Sequence, residues 1–432
     1  MDAGGFVGEE TSPGSAHWGH IWEFVKMSAT VSLFSSERRA RSSEPGQDGA
    51  FIARAEAVAK IAAAHAAEVD AKSRFPAEAF AALSKYKLIG MLIPMDLGGE
   101  GARAADVADV CAILGAACAS TAMIFAMHQV KLACLVRHHR DNAWQLDFLR
   151  KCAAKQLLLA SSTTEGMNGG NIRSSEAAIQ LDGSKVRLAR DASCISYGAA
   201  ADAIVTTARR GESAANSDQV LAVFERDNYT LEPTKSWDTL GMRGTCSVGY
   251  MLRAEGEADQ VLAEPYDRIH NQTMAPYAHL FWASVWCGVA TGAFSTARAF
   301  VRQAARASGG RMPPGSRHLT KARVSLETLR AAVQAGLANF ERHAREPGGL
   351  TAMEAQLALN FLKVEASEIA VQTVMSAMRA CGLSGYRNDT EFSLGRPLRD
   401  ILSAPVMIHN DRILASAEAS VLMSAPSGAL SH

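Results

Sequence analysis

The sequence has no excess of charge of either sign: 44 lysines and arginines balance 44 aspartates and glutamates in 432 residues. That balance removes any global electrostatic case for nucleic acid or an anionic membrane as partner. No apolar run reaches the ~18 residues needed to span a bilayer. The helix-like stretch from Trp18 to Phe34 is broken by His20, Glu23 and Lys26 and lacks a signal-peptide cleavage pattern. The eight cysteines form no C-x-x-C pair, and no His/Cys cluster has zinc spacing. A disulfide framework and a metal site are therefore not expected. Scattered thiols in apolar surroundings fit buried free cysteines and a reducing cytoplasm. Internal repeats are also missing.

What is present is a change of texture along the chain. Residues 1–48 mix Gly, Ser, Pro and Glu without periodicity and read as a solvated tail, and Met27 offers an alternative start. Residues 49–156 are alanine-rich with apolar residues at three- and four-residue spacing, the pattern of packed helices, one of them started by Pro76. Residues 157–270 carry short apolar runs such as DAIVTTAR and QVLAVFER between Gly, Ser, Asn and Asp turns, which read as strands. Long helical periodicity returns over 271–432, interrupted by GGRMPPGSRH. The expected architecture is α+β: helical domain, small β domain, helical domain.

Five segments in that order resemble the acyl-CoA dehydrogenase superfamily. LIGMLIPMDLGGEG (88–101) is similar to its turn between two helices, with Gly98, Gly99 and Gly101 suited to positive φ. SSTTEGMNGG (161–170) resembles the T-E-P-G-A-G-S-D flavin loop, with Gly166, Gly170 and Asn171 replacing the Pro, Ser and Asp. DASCISYGAAADAIVTTAR (191–209) resembles the strand beside the flavin ring; Ser196 takes its hydroxyl position, and Cys194 replaces the usual Trp. SWDTLGMRGTCS (236–247) nearly reproduces W-x-x-x-G-M-R-G-T/S, and ACGLSGYRNDTEFSLGRPLRDI (380–401) resembles G-G-x-G-Y followed by R-x-x-R-D. The resemblance implies a central β-sandwich or barrel, a C-terminal four-helix bundle, bound FAD, and a homodimer or homotetramer.

By that resemblance, Thr163, Thr164 and Ser196 would meet the flavin edge, where negative charge builds on reduction. Gly169 and Gly170 would let the backbone approach the diphosphate. Gly382 and Gly385 would reach the adenosine across a subunit interface, and Asn410 joins these cofactor candidates. The Arg-x-x-Phe pair that grips the diphosphate is not reproduced, leaving Arg311 and Arg317 as substitutes. The family removes an α-proton with a glutamate, usually nine residues after the R-D arginine. From Arg399 that position is Ile408, and the minority position, ten residues before Gly288, is Ala278. Neither can take a proton. The remaining candidates are His279 beside Ala278, His409 beside Ile408, and Glu391 in YRNDTEF. A helix residue displaced by one position turns about 100°, which would aim His409 away from the base position.

Three functions are compatible with this pattern. The first is FAD-dependent desaturation of a CoA- or carrier-protein-bound acyl thioester with a displaced base, its electrons passing to an electron-transferring flavoprotein or to O2. The second is a flavin monooxygenase on the same fold, which needs no α-proton removed. The third is a non-redox member using the scaffold for binding. Met274, Tyr277, Phe281, Trp282 and Trp286 would shape an acyl or aromatic pocket or simply pack a helix.

Overall fold

The computed structural model of the chain describes Met1, residues 48–166 and residues 171–425. The expected tail, the alternative start at Met27, and Gly169 and Gly170 lie outside the described residues. The described residues from Asp48 onward form one compact unit.

Five helices open it: α1 (Asp48–Ala71), α2 (Ala77–Lys85), α3 (Ala104–Ala117), α4 (Ala119–His138) and α5 (Ala143–Lys155). In α1 the buried residues Phe51, Ala55, Val58, Ala62, Ala66 and Val69 fall three or four apart, so one stripe faces the core. Pro76 is the residue before α2 and not inside its first turn. In the turn ahead of α3, Gly98 and Gly101 have φ of 83° and 62°. Gly99 does not have positive φ. It is required there for another reason, since a Cβ would lie 2.1 Å from the Ile93 carbonyl oxygen.

Seven strands follow: β1 (Leu159–Ser162), β2 (Gln180–Asp182), β3 (Lys185–Ile195), β4 (Ala203–Arg209), β5 (Gln219–Glu225), β6 (Tyr229–Lys235) and β7 (Val248–Glu257). They form two sheets, ordered β1-β4-β5 and β2-β3-β7-β6. β1 runs parallel to β4, with Leu159 opposite Ala203; every other pairing is antiparallel. β3 alternates exposed and buried residues over Lys185–Ala192, whereas β4 and β5 are buried almost throughout. One face of β3 therefore meets solvent, and β4 and β5 lie inside.

The helical remainder is α6 (Tyr266–Ile269), α7 (Ala275–Ala307), α8 (Ser316–Ala344), α9 (Met353–Cys381), α10 (Leu383–Tyr386), α11 (Gly395–Ile401), α12 (Ser403–Val406) and α13 (Asn410–Met423). α9 packs on both α7 and α8, and α13 packs on α9. A π-turn, His270–Met274, joins α6 to α7. Pro276, in the first turn of α7, has no N–H to continue the ladder, and the widened turn lies directly upstream of it. α3 and α7 approach closely: a Cβ at Gly288 would sit 2.1 Å from the Ala112 oxygen, and one at Gly292 2.4 Å from the Ala116 oxygen.

Two helical stretches, Ala119–His138 and Tyr266–Ala307, are long and apolar enough to cross a membrane by length and composition. Their apolar windows are 89% and 67% buried within the fold, which accounts for that composition.

Candidate active site

The helices and sheets meet around a cleft of about 660 Å³. That size suits a small-molecule or cofactor site. Its rear wall is the 236–247 segment, and the glycines of that segment explain why the motif is so restricted. A Cβ at Gly241 would lie 2.1 Å from the Arg399 carbonyl oxygen, and one at Gly244 2.3 Å from the Val69 side chain. The Met242 N–H donates to Asp400 at 2.7 Å, and Arg243 Nε donates to the Asp70 carbonyl at 2.9 Å. Arg399 in turn grips both carboxylate oxygens of Asp70 and donates to the Leu240 carbonyl at 2.8 Å. The last turn of α1, the motif and α11 are thus bolted together behind the cleft.

A wall of hydroxyls comes from the sheets and their loops, including Ser161, Thr163, Thr164, Ser196, Thr245 and Ser247. Thr245 donates to the Met242 carbonyl at 2.8 Å, which uses its one hydroxyl hydrogen. Its 2.8 Å contact with Ser247 must then be donated by Ser247, and the 2.7 Å contact of Ser247 with Ser196 must be donated by Ser196. In this arrangement Ser196 presents acceptor lone pairs to the cleft. Thr164 accepts from Ser193 at 2.9 Å. Behind these groups Glu165 is buried against Arg190 at 3.1 Å and accepts from Ser175 Oγ and Glu176 N at 2.8 and 2.6 Å. These bonds fix the chain at Glu165, directly after the hydroxyl wall.

The helical wall is chemically different. Met123, Met127, Val130 and Lys131 of α4, with Met274, Ala275, Ala278, His279 and Trp282, form the helical part of the cleft lining. Ala278 and Ile408 both line it, so the two positions counted from sequence lie on the wall with no carboxylate on either. Among the described residues, no aspartate or glutamate lines the cleft at all. Asp400 lies just behind, buried and pushed up to about 6 by desolvation, but it is bound to Met242 N–H.

His279 reaches the cleft and its Nδ1 has no hydrogen-bond partner. Burial pulls its pKa down to about 3, with His270 and Lys363 pushing the same way. Burial likewise holds His270 at about 4. Both rings are neutral at pH 7 and weakly basic. Trp282 Nε1 is also buried without a partner.

The other candidates do not meet here. Glu391 lies exposed in the turn before α11. His409 is exposed with φ of 52°, and it is Ile408 that faces the cleft. Asn410 is buried elsewhere, accepting from Lys363 at 2.6 Å and donating to Ser367 and Glu368. Arg311 is exposed between α7 and α8. Gly382, which follows α9 with φ of 56°, and Gly385 within α10 lie outside the cleft lining. Tyr277, Phe281 and Trp286 pack in the core, whereas Met274 and Trp282 line the cleft. Sequence reasoning missed Lys131, because a lysine in a helical apolar run reads as a solvated residue.

The profile described as the N-terminal domain of acyl-CoA dehydrogenase matches residues 51–156, and that of the C-terminal domain matches residues 277–408. The chain belongs to the acyl-CoA dehydrogenase superfamily. It is 25% identical over 344 residues to cyclohex-1-ene-1-carbonyl-CoA dehydrogenase of Geobacter metallireducens, covering 78% of this chain and 87% of that protein. It is 24% identical over 320 residues to the probable FMNH2-dependent monooxygenase SfnC of Pseudomonas putida, covering 70% and 77%. Among solved structures, FMN-bound TdsC from Paenibacillus sp. A11-2 superposes with a TM-score of 0.77 at 16% identity, covering 88% of this chain and all of that one. At that identity the likeness speaks for the fold alone. Members of the superfamily are flavoproteins. The cleft fits such a group: it combines a wall of hydroxyls, a buried indole N–H without a partner, and volume for a ring system.

Proposed function

We propose that this chain is a flavin-dependent monooxygenase that takes up reduced FMN, and that it does not desaturate acyl thioesters. One observation carries the reading: among the described residues the cleft wall has no carboxylate, its two histidines are weakly basic, and its lysine is mostly protonated at neutral pH. The two glutamate positions are Ala278 and Ile408, and the facing histidines are held at about 4 and about 3. A general base works best with a pKa near the operating pH, so a ring held near 3 is a poor agent for removing an α-proton.

The flavin, when bound in reduced form, would supply electrons and activate O2. Thr163, Thr164 and Ser196 would hold the ring edge, and the acceptor that Ser196 presents suits an N–H of a reduced ring better than a bare ring nitrogen. Arg173 and Arg268 line a second, polar recess of about 510 Å³. It adjoins the cleft, because Ile172 and His270 line the cleft while the next residues, Arg173 and Asn271, line the recess. These arginines would hold a phosphate. FMN, without an adenosine half, makes no demand on the missing Arg-x-x-Phe pair or on Gly382 and Gly385. Met123, Met127 and Trp282 would keep water from the reacting end.

The test is anaerobic. Protein loaded with FAD or with FMN is mixed with acyl-CoA thioesters of several chain lengths while the flavin absorbance is followed. Affinities for oxidised FAD, oxidised FMN and reduced FMN are measured alongside. The expected result is no bleaching and tightest binding of reduced FMN. Thioester-dependent bleaching overturns the proposal in favour of the dehydrogenase, and failure to bind any flavin overturns it in favour of a non-redox role.

A further inference from the structure

Among the described residues, the cleft holds a charge without a counter-charge. Lys131 is 4% exposed, and among the described residues its ammonium has one hydrogen-bond partner, the Met274 sulfur at 3.2 Å. That same sulfur accepts the Tyr266 hydroxyl at 3.4 Å. A thioether is a weak acceptor and carries no charge. Lysine is almost never fully buried unless paired, and desolvating an ammonium without a counter-ion is costly.

No described neighbour offers the missing charge. Cys134, on the same helix, is pushed up to about 12 by burial, and burial also raises the Tyr266 hydroxyl well above its usual range. His270, on the π-turn, is neutral or positive, and no aspartate or glutamate among the described residues lines the cleft. The other cation on the wall, Arg399, is already paired with Asp70. Burial brings Lys131 down to about 8, which still leaves it protonated roughly ten to one at pH 7.

Lys131 is carried by a helix, whereas the hydroxyls come from the sheets and their loops. It lies on α4, one turn beyond Met127 and two beyond Met123, among Val130 and Met274. The surroundings it presents are therefore an apolar chamber with one positive point.

We propose that Lys131 is the specificity-determining residue of the substrate pocket, and that the substrate is a small apolar molecule bearing one compact anionic group such as a carboxylate, sulfinate or phenolate. The ammonium pairs with that group while the methionines and Trp282 enclose the apolar body. This rests on reading the cleft as a substrate and flavin site, but it is tested without turnover.

Benzoate and benzenesulfinate, with benzamide as the neutral isostere, are titrated calorimetrically against the whole protein with and without FMN. The same titrations are made on Lys131→Met and Lys131→Arg. At least one of the anions is expected to bind ten-fold or more tighter than benzamide. Lys131→Met should erase that preference and leave benzamide unchanged, whereas Lys131→Arg should retain most of it. Lys131→Met should also melt at a higher temperature than the parent, since it keeps the volume and removes a buried charge. No preference for either anion, or a preference that survives in Lys131→Met, overturns the proposal. So does a Lys131→Met variant whose only loss is affinity for FMN, because the ammonium then serves the flavin. An anion preference in a protein that binds no flavin would sink the monooxygenase reading and leave this one standing.

Discussion

His128 joins two parts of the chain through an uncharged ring. Leu159 N–H donates to its Nδ1 at 3.0 Å, so the ring's hydrogen is on Nε2, which donates to the Ile89 carbonyl at 2.9 Å. Protonation would set one N–H against another and break the link between α4 and β1. Burial holds His128 at about 4, and His270 and His279 are held at about 4 and about 3. The unfolded chain binds these protons near pH 6.5, so below that value it binds more protons than the folded one. Stability is therefore full above pH 6.5 and falls as pH drops toward 4, by roughly 2–3 kcal/mol per histidine near pH 4.5. Calorimetry should show a melting temperature that falls steeply between pH 6 and 4.5. His128→Gln should melt lower at pH 7 but lose less on acidification; an unchanged slope would exclude His128 as a source. Ala278 and Ile408 were legible by counting from Arg399 and Gly288. Lys131 was not, because only the packing around α4 shows that the helix is buried nearly all round.

The elements were legible where periodicity is local. The three- and four-residue stripe of α1 and the alternation of β3 can be read directly. The π-turn at His270–Met274 could not be, since its sequence differs from an α-helix only by the proline downstream. The 236–247 segment was recognisable as a motif, but the reason for its glycines lies in elements far along the chain. Gly241→Ala would place a methyl 2.1 Å from the Arg399 oxygen, and backbone cannot yield as a flexible side chain can. A loss of about 2–3 kcal/mol is expected from such overpacking. Flavin affinity should fall with it, because Met242 is the end of the hydroxyl chain that orients Ser196. Denaturant melts and flavin titration of Gly241→Ala would check both. Wild-type stability with wild-type flavin affinity would show that the contact can relax.

At the scale of the whole molecule, the order helices, sheets, helices was legible from texture, and the cleft was not, because its walls are drawn from every region at once. α4 supplies the methionines and Lys131, the sheets supply the hydroxyls, and the segments around α7, α11 and α12 close it. The clamp behind the cleft shows what this means for how the protein comes to exist. Asp70 and Arg399 are 329 positions apart, and Asp400 lies 158 positions from Met242. Contacts of such separation are slow to form, because loop-closure entropy is lost before they return anything. The binding site should accordingly be among the last parts of the chain to mature. Refolding from denaturant in the presence of FMN should show helix recovered first, by circular dichroism, and flavin fluorescence changing only in the slowest phase. Asp70→Asn should lengthen that last phase while leaving the early one alone. Simultaneous recovery of helix and flavin binding would mean that the clamp closes early, and that the cleft serves as the folding nucleus instead of the final product.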